Sequence, residues 1–254
     1  MSRRRPLFAA NWKMNKGPAQ TRDYVVQFWA GAEALVQRAD IVLCAPFIDL
    51  ETLRTELAPS RVKFGAQDCY WEPAGAFTGE ISAAMLKDIG AAYCIVGHSE
   101  RRRFFGETDE TVAKKVDALL ALELTPIVCI GESLEEKQRG ETAQCCLRQV
   151  TAGLGHLSDA QRARLAIAYE PIWAIGSGLS DNPASANKMA ADIRRMAGGF
   201  AEARILYGGS MNAENAASFC EQPEIDGGLV GGASLNAKTF LQLVINGLKA
   251  MAPR

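Results

Sequence analysis

The chain has 254 residues, 28 of them basic and 29 acidic, for a formal charge of −1. That balance argues against a surface of one sign for nucleic acid or membrane, so any anionic ligand has to be held by local donors. The seven cysteines are odd in number and show no C-x-x-C spacing, Cys145 and Cys146 being adjacent, which fits reduced thiols in a cytoplasmic setting rather than a disulfide framework. The start, MSRRRPLFAANWK, has too short an apolar run for a signal peptide, and no run approaches membrane-spanning length.

Short β-like runs alternate with longer segments of helical periodicity along the chain. Strands are predicted at Leu7–Asn11, Ile41–Ala45, Val62–Ala66, Cys94–Gly97, Pro126–Ile130, Leu165–Tyr169, Ile205–Tyr207 and Gly228–Val230. Helical patterns between them include Thr21–Arg38, Glu110–Leu122, Ala184–Met196 and Lys238–Ala250, and Ser133 and Glu136 are spaced as a capping box before another. No linker or low-complexity tract divides the chain. Eight such units in 254 residues predict an α/β fold of the (β/α)8 barrel type, since a doubly wound sheet usually has fewer strands and a second domain. The residues that follow each strand are then the ones at the active-site mouth.

Lys13 follows the first strand, in the run Asn11-Trp12-Lys13-Met14-Asn15. A lysine there is ordinarily solvated, and two functional uses stay open: a Schiff base with a ketone, or a fixed positive charge for a phosphate and a developing oxyanion. The third unit ends in a long loop, Gln67–Gly79, whose Tyr70, Trp71 and Phe77 suggest a surface that docks on a second copy of the chain through Thr78 and its neighbours. The alternative is a loop folded back on its own barrel.

His98 follows the fourth strand and is one of only two histidines; the other, His156, lies in a connection with no chemistry around it. So few histidines argue against a metal enzyme, since no cysteine cluster substitutes for them. Cys129 reads as a small buried residue rather than a nucleophile. Glu170 stands where the sixth strand stops, because Pro171 cannot continue the ladder. Beyond it an apolar tip, Ile172–Ile175, leads to Gly176, Ser177 and Gly178, a segment able to fold over a ligand and exclude water. Asp181 or Asn182 caps the next helix and Pro183 suits its first turn. Paired glycines follow strands seven and eight, Gly208-Gly209 before Ser210 and Gly231-Gly232 before Ala233, and their exposed N–H groups suit a phosphate.

Taken together, Asn11-Trp12-Lys13, Ile95-Val96-Gly97-His98-Ser99-Glu100-Arg101-Arg102, Tyr169-Glu170-Pro171-Ile172-Trp173-Ala174-Ile175-Gly176, Tyr207-Gly208-Gly209-Ser210 and Gly231-Gly232-Ala233-Ser234 resemble the triosephosphate isomerase family over essentially the full length. The resemblance implies a single-domain TIM barrel over residues 1–254, a homodimer, no cofactor, and interconversion of dihydroxyacetone phosphate and glyceraldehyde 3-phosphate. It assigns Glu170 as the base and His98 as the neutral imidazole that polarises the carbonyl, a pairing for which this family is itself the worked case. Lys13 and Asn11 would stabilise the enediolate, and the backbone N–H groups of Gly176, Ser210, Gly231 and Gly232 would bind the phosphate. Glu100 would pair with Lys13, and Ser99 would hold Glu170 while the lid is open.

Several positions depart from the family pattern. Asp68 stands where Asn is usual, adding a carboxylate near Lys13 and the proposed interface, where it could weaken the positive field. Ser177 and Leu179 replace Thr and Lys at the rear hinge of the lid, and Ile172 and Met211 replace Val. Two other chemistries use similar parts: a Schiff-base aldolase acting through Lys13, and an isomerase of a tetrulose phosphate, since the motifs do not measure pocket length.

Overall fold

The eight apolar runs become strands buried on both sides, which is why they read as nearly continuous rather than alternating. In the computed structural model, which describes residues 4–175 and 181–251, they are β1 (Leu7–Asn11), β2 (Asp40–Ala45), β3 (Lys63–Ala66), β4 (Tyr93–Val96), β5 (Thr125–Ile130), β6 (Ala166–Tyr169), β7 (Arg204–Tyr207) and β8 (Gly227–Val230). Each pairs in parallel with its sequence neighbours, and β1 also pairs with β8, so the sheet closes into a barrel. Parallel neighbours need crossover connections, and the helices that supply them cover the outside. The (β/α)8 fold expected from the sequence is therefore found.

Successive strand residues point to opposite faces, and this separates two cores. Leu7, Ala9, Val42, Cys44, Ile95, Ile127, Ala166, Ala168, Leu206 and Leu229 fill one cluster, the barrel interior. Their neighbours Phe8, Ala10, Ile41, Leu43, Val128 and Ile167 belong to the other, which packs under the helices with Phe28, Phe219 and Phe240. Phe28 and Phe240 stack at 5.8 Å, tying the first long helix, Pro18–Leu35, to the last, Ala237–Ala250.

Strand ends agree with the sequence to within a residue. Gly97 lies outside β4 because its φ of 71° leaves the ladder and turns the chain toward His98. The first helix begins at Pro18, ahead of the expected Thr21, because proline suits the opening turn. Before Pro183–Arg195 the cap is Asn182, whose side chain accepts from Ala184 N at 2.8 Å. The Ser133/Glu136 capping box is present. The short helix Ser99–Phe105 was not read from the sequence, since seven residues carry too little periodicity. Among the described residues no helix is long and apolar enough to cross a membrane.

Candidate active site

Three strand ends bring the acid, the imidazole and the lysine together. Glu170 follows β6, where Pro171 has no N–H to offer the ladder; its own N–H donates to Ile130 O at 2.7 Å. It is 2 % exposed. Oε2 accepts from the Ser99 backbone N–H at 3.0 Å, while Oε1 lies 3.1 Å from His98 Nε2 without an aligned hydrogen bond. Room for Glu170 depends on glycine: a Cβ on Gly131, just after β5, would overlap its backbone carbonyl, and one on Gly208 would lie 2.9 Å from its Cγ.

His98 is buried and caps the short helix that follows it. Its Nδ1 accepts from Glu100 N–H at 3.2 Å, which places the single proton of a neutral ring on Nε2, facing the cleft. Lys13 Nζ pairs with Glu100 Oε1 at 2.7 Å. The lysine backbone has a φ of 53°, a left-handed conformation held by two contacts. Its N–H donates to Asn11 Oδ1 at 3.1 Å, and its carbonyl accepts from Gln67 Nε2 at 3.0 Å. Gln67 is a site residue the sequence reading missed, having noted it only as the start of a loop; a polar side chain directly after a strand is its only sequence signal.

These side chains open on a cleft of about 320 Å³ that they share with Gly208, Gly209, Ser210, Met211, Gly231 and Gly232. The paired-glycine turns thus face the acid and the imidazole, as the strand order requires. Ser210 Oγ also donates to Ala174 O at 2.6 Å, linking the β7 turn to the front of the segment that follows β6. Behind that front, Glu132 is fully buried and its Oε1 accepts from Trp173 Nε1 at 2.9 Å and Tyr169 Oη at 3.2 Å. Burial pushes the Glu132 carboxyl above its ordinary pKa, with these two donors opposing it. At the rear, Asp181 N–H donates to Tyr207 Oη at 3.1 Å. Gly176, Ser177 and Leu179 lie outside the described residues.

Asp68 does not stand free. Its Oδ1 is 2.6 Å from Lys115 Nζ and its Oδ2 2.7 Å from Arg101 Nη2. Glu107 completes the group, 2.9 Å from Lys115 and 3.2 Å from Arg101, and accepts from Gly97 N–H at 3.1 Å. The carboxylate that could have weakened the field at Lys13 is paired where it sits. Burial opposes the Lys115 charge, but the two carboxylates outweigh it and hold its pKa above the ordinary lysine value. Glu107 and Lys115 had no sequence signal, because Glu107 lies in the short connection between two helices and Lys115 reads as an ordinary residue of the second, Asp109–Ala121.

Other expectations resolve simply. Burial raises the Cys129 thiol well above its usual pKa, and all seven cysteines are buried and free. His156 pairs with Asp117 on the surface at 2.8 Å. In the Gln67–Gly79 loop, Tyr70 lies against Trp71 and Phe77 with centroids at 4.0 Å and 4.7 Å, and Tyr70 N–H donates to Ile81 O at 2.8 Å. The base of the loop thus folds on its own barrel, while residues 72–80 are exposed.

Fold and site together define an enzyme of the (β/α)8-barrel class. The triosephosphate isomerase family model matches residues 6–246. The triosephosphate isomerase of Moorella thermoacetica is 46 % identical over 248 residues, covering 95 % of this chain and 98 % of that protein. That of Symbiobacterium thermophilum is 46 % identical over 255 residues, covering 98 % and 99 %, and that of Synechocystis 45 % over 241 residues, covering 95 % and 98 %. The chain belongs to the triosephosphate isomerase family.

Proposed function

We infer that the protein interconverts dihydroxyacetone phosphate and D-glyceraldehyde 3-phosphate, a step shared by glycolysis and gluconeogenesis. The observation that carries this reading, beside family membership, is the Glu170 carboxylate buried against His98 Nε2 at 3.1 Å, with the Lys13 ammonium in the same cleft. Glu170 Oε1, which has no aligned partner among the described residues, takes the proton from the carbon next to the carbonyl. The carbonyl oxygen accepts a hydrogen bond from His98 Nε2–H, and Lys13 and Asn11 stabilise the negative enediolate that forms. Glu170 then returns the proton to the neighbouring carbon, and His98 moves a proton between the two oxygens. The reaction shifts hydrogen within one molecule without net oxidation, so no cofactor is required.

The phosphate is assigned to the N–H groups of Ser210, Gly231, Gly232 and Gly176, in line with the usual position of a phosphate after strands seven and eight. Pairing of Lys13 with Glu100 at 2.7 Å supports a fixed charge over a Schiff-base nucleophile. A homodimer through the Gln67–Gly79 loop is supported by a second cleft of about 240 Å³ beside Lys13, bordered by the exposed Met14, Phe47 and Phe105. The buried reduced thiols fit a cytoplasmic protein.

The test is a coupled assay of glyceraldehyde 3-phosphate isomerisation with wild type and Glu170→Asp. Rapid turnover that falls by about 10²-fold or more on shortening the base is the expected result. A folded wild type that isomerises no triose phosphate but turns over a four-carbon ketose phosphate would reassign the substrate.

A further inference from the structure

A second lysine of the first loop turns its side chain inward. Lys16 has a φ of 75° and Lys13 a φ of 53°, so two non-glycine residues of one short loop occupy the left-handed region. Such residues are strained and persist where contacts over-determine them. For Lys13 those contacts are Asn11 and Gln67. For Lys16 they are made by the ammonium. Nζ donates to the Leu235 carbonyl at 2.8 Å and lies 5.2 Å and 4.9 Å from the centroids of the Trp12 and Tyr24 rings.

Leu235 closes the turn Gly232–Ser234 by donating its N–H to Gly232 O at 3.1 Å. The Lys16 side chain therefore spans from the loop of Lys13 to the end of the glycine turn after β8, across the seam where β1 and β8 pair. These two loops meet at the site as well: a Cβ on Gly231 would lie 3.5 Å from Lys13 Cε. Their relative position sets the gap between the Lys13 charge and the N–H groups assigned to the phosphate.

Asp49 is the acidic group whose charge acts on Lys16, without forming an ion pair with it. It is fully buried, and neither carboxylate oxygen has a hydrogen-bond partner among the described residues. Burial pushes its carboxyl up, with the Thr21 hydroxyl and the Lys16 ammonium opposing. Burial pushes Lys16 down, with Asp49 opposing. Neither residue was singled out by the motifs.

We propose that Lys16 is a positioning residue that locks the Lys13 loop to the β8 glycine turn and thereby sets the affinity for the substrate phosphate. The proposal rests on the triose-phosphate reading above. It acts on binding through the spacing between the Lys13 loop and the glycine turn, since the Lys16 side chain contacts Leu235, Trp12 and Tyr24 rather than Glu170 or His98.

The test uses Lys16→Gly, which removes the ammonium while relieving the backbone strain, and Lys16→Arg, which keeps a cation over the rings and a donor for Leu235. Each is made alone and with Asp49→Asn, which removes the buried carboxylate whose charge acts on Lys16. The readouts are kcat and KM for glyceraldehyde 3-phosphate and, independently of turnover, the Kd of inorganic phosphate by titration calorimetry. In Lys16→Gly, with or without Asp49→Asn, KM and the phosphate Kd are expected to rise about 10-fold while kcat stays within about threefold. Lys16→Arg is expected to hold both within about threefold of wild type. Unchanged KM and phosphate Kd in Lys16→Gly/Asp49→Asn would overturn the proposal, as would a loss confined to kcat or a Lys16→Arg protein as impaired as Lys16→Gly. A folded wild type without isomerase activity would instead overturn the parent reading, with the phosphate Kd still deciding the role of Lys16.

Discussion

Ser99 holds Glu170 through the main chain: its backbone N–H, not its hydroxyl, donates to Glu170 Oε2 at 3.0 Å. The serine side chain is thus dispensable for this contact, and the N–H is not. Ser99→Ala is expected to leave kcat/KM and stability within about twofold and 0.5 kcal/mol of wild type. Proline is tolerated at the first helical position, and His98 already has the extended φ and ψ of −55° and 140° that precede it. Ser99→Pro therefore deletes one donor to a buried carboxylate with little backbone change. Its expected loss is about 1–3 kcal/mol in denaturant unfolding. Equal stability of the two variants would show that the N–H does not support the base.

Gly131 is the position most sensitive to a single added methyl. Because a Cβ there overlaps the Glu170 carbonyl, Gly131→Ala must displace either the end of β5 or Glu170 itself. Displacement of a catalytic group by about 1 Å lowers activity by about 10²-fold, and overpacking costs about 1–3 kcal/mol. Steady-state kinetics and thermal unfolding of Gly131→Ala check both figures.

Lys115 separates two buried carboxylates, Asp68 and Glu107, at 2.6 Å and 2.9 Å. Lys115→Met removes the charge between them and is expected to cost about 3–5 kcal/mol. The lysine has a raised pKa in the folded state, so its contribution is fully present below the ordinary value of 10.5 and is lost as pH rises through the folded-state value. Unfolding free energies measured between pH 8 and about 12 should therefore fall more steeply above pH 10.5 in wild type than in Lys115→Met. Parallel curves would contradict this account.

Glu132 gives the opposite handle on pH. Its carboxyl is raised in the folded state, chiefly by burial, so the stability it contributes is fully present below its ordinary pKa of 4.5 and is lost as pH rises through the folded value. Replacing it by an uncharged isostere removes that loss. Glu132→Gln, which can still accept from Trp173 and Tyr169, is expected to be more stable than wild type by about 1 kcal/mol at neutral pH. The gain should vanish toward pH 4, as chemical denaturation at each pH would report.

The sequence by itself determined the barrel and the positions of its chemistry. Eight apolar runs separated by helical segments admit few parallel arrangements, and glycine or proline ends the strands at Gly97 and Pro171, so His98 and Glu170 announce themselves as strand-end residues. The paired glycines after β7 and β8 were legible for the same reason. Those signals are local, carried by residues adjacent in the chain.

Only the tertiary structure decided what holds that chemistry in place. Gln67 reaches back 54 residues to the Lys13 carbonyl, Lys16 reaches 219 residues forward to Leu235, and Asp68 meets Lys115 and Arg101 from different elements. Each is a polar side chain on an unremarkable stretch, and its partner is fixed only when the barrel closes and brings β1 beside β8 and the third loop beside the fourth. Burial then turns ordinary polar residues into a frame, because a charge removed from water must find its counter-charge in whatever element the fold places against it.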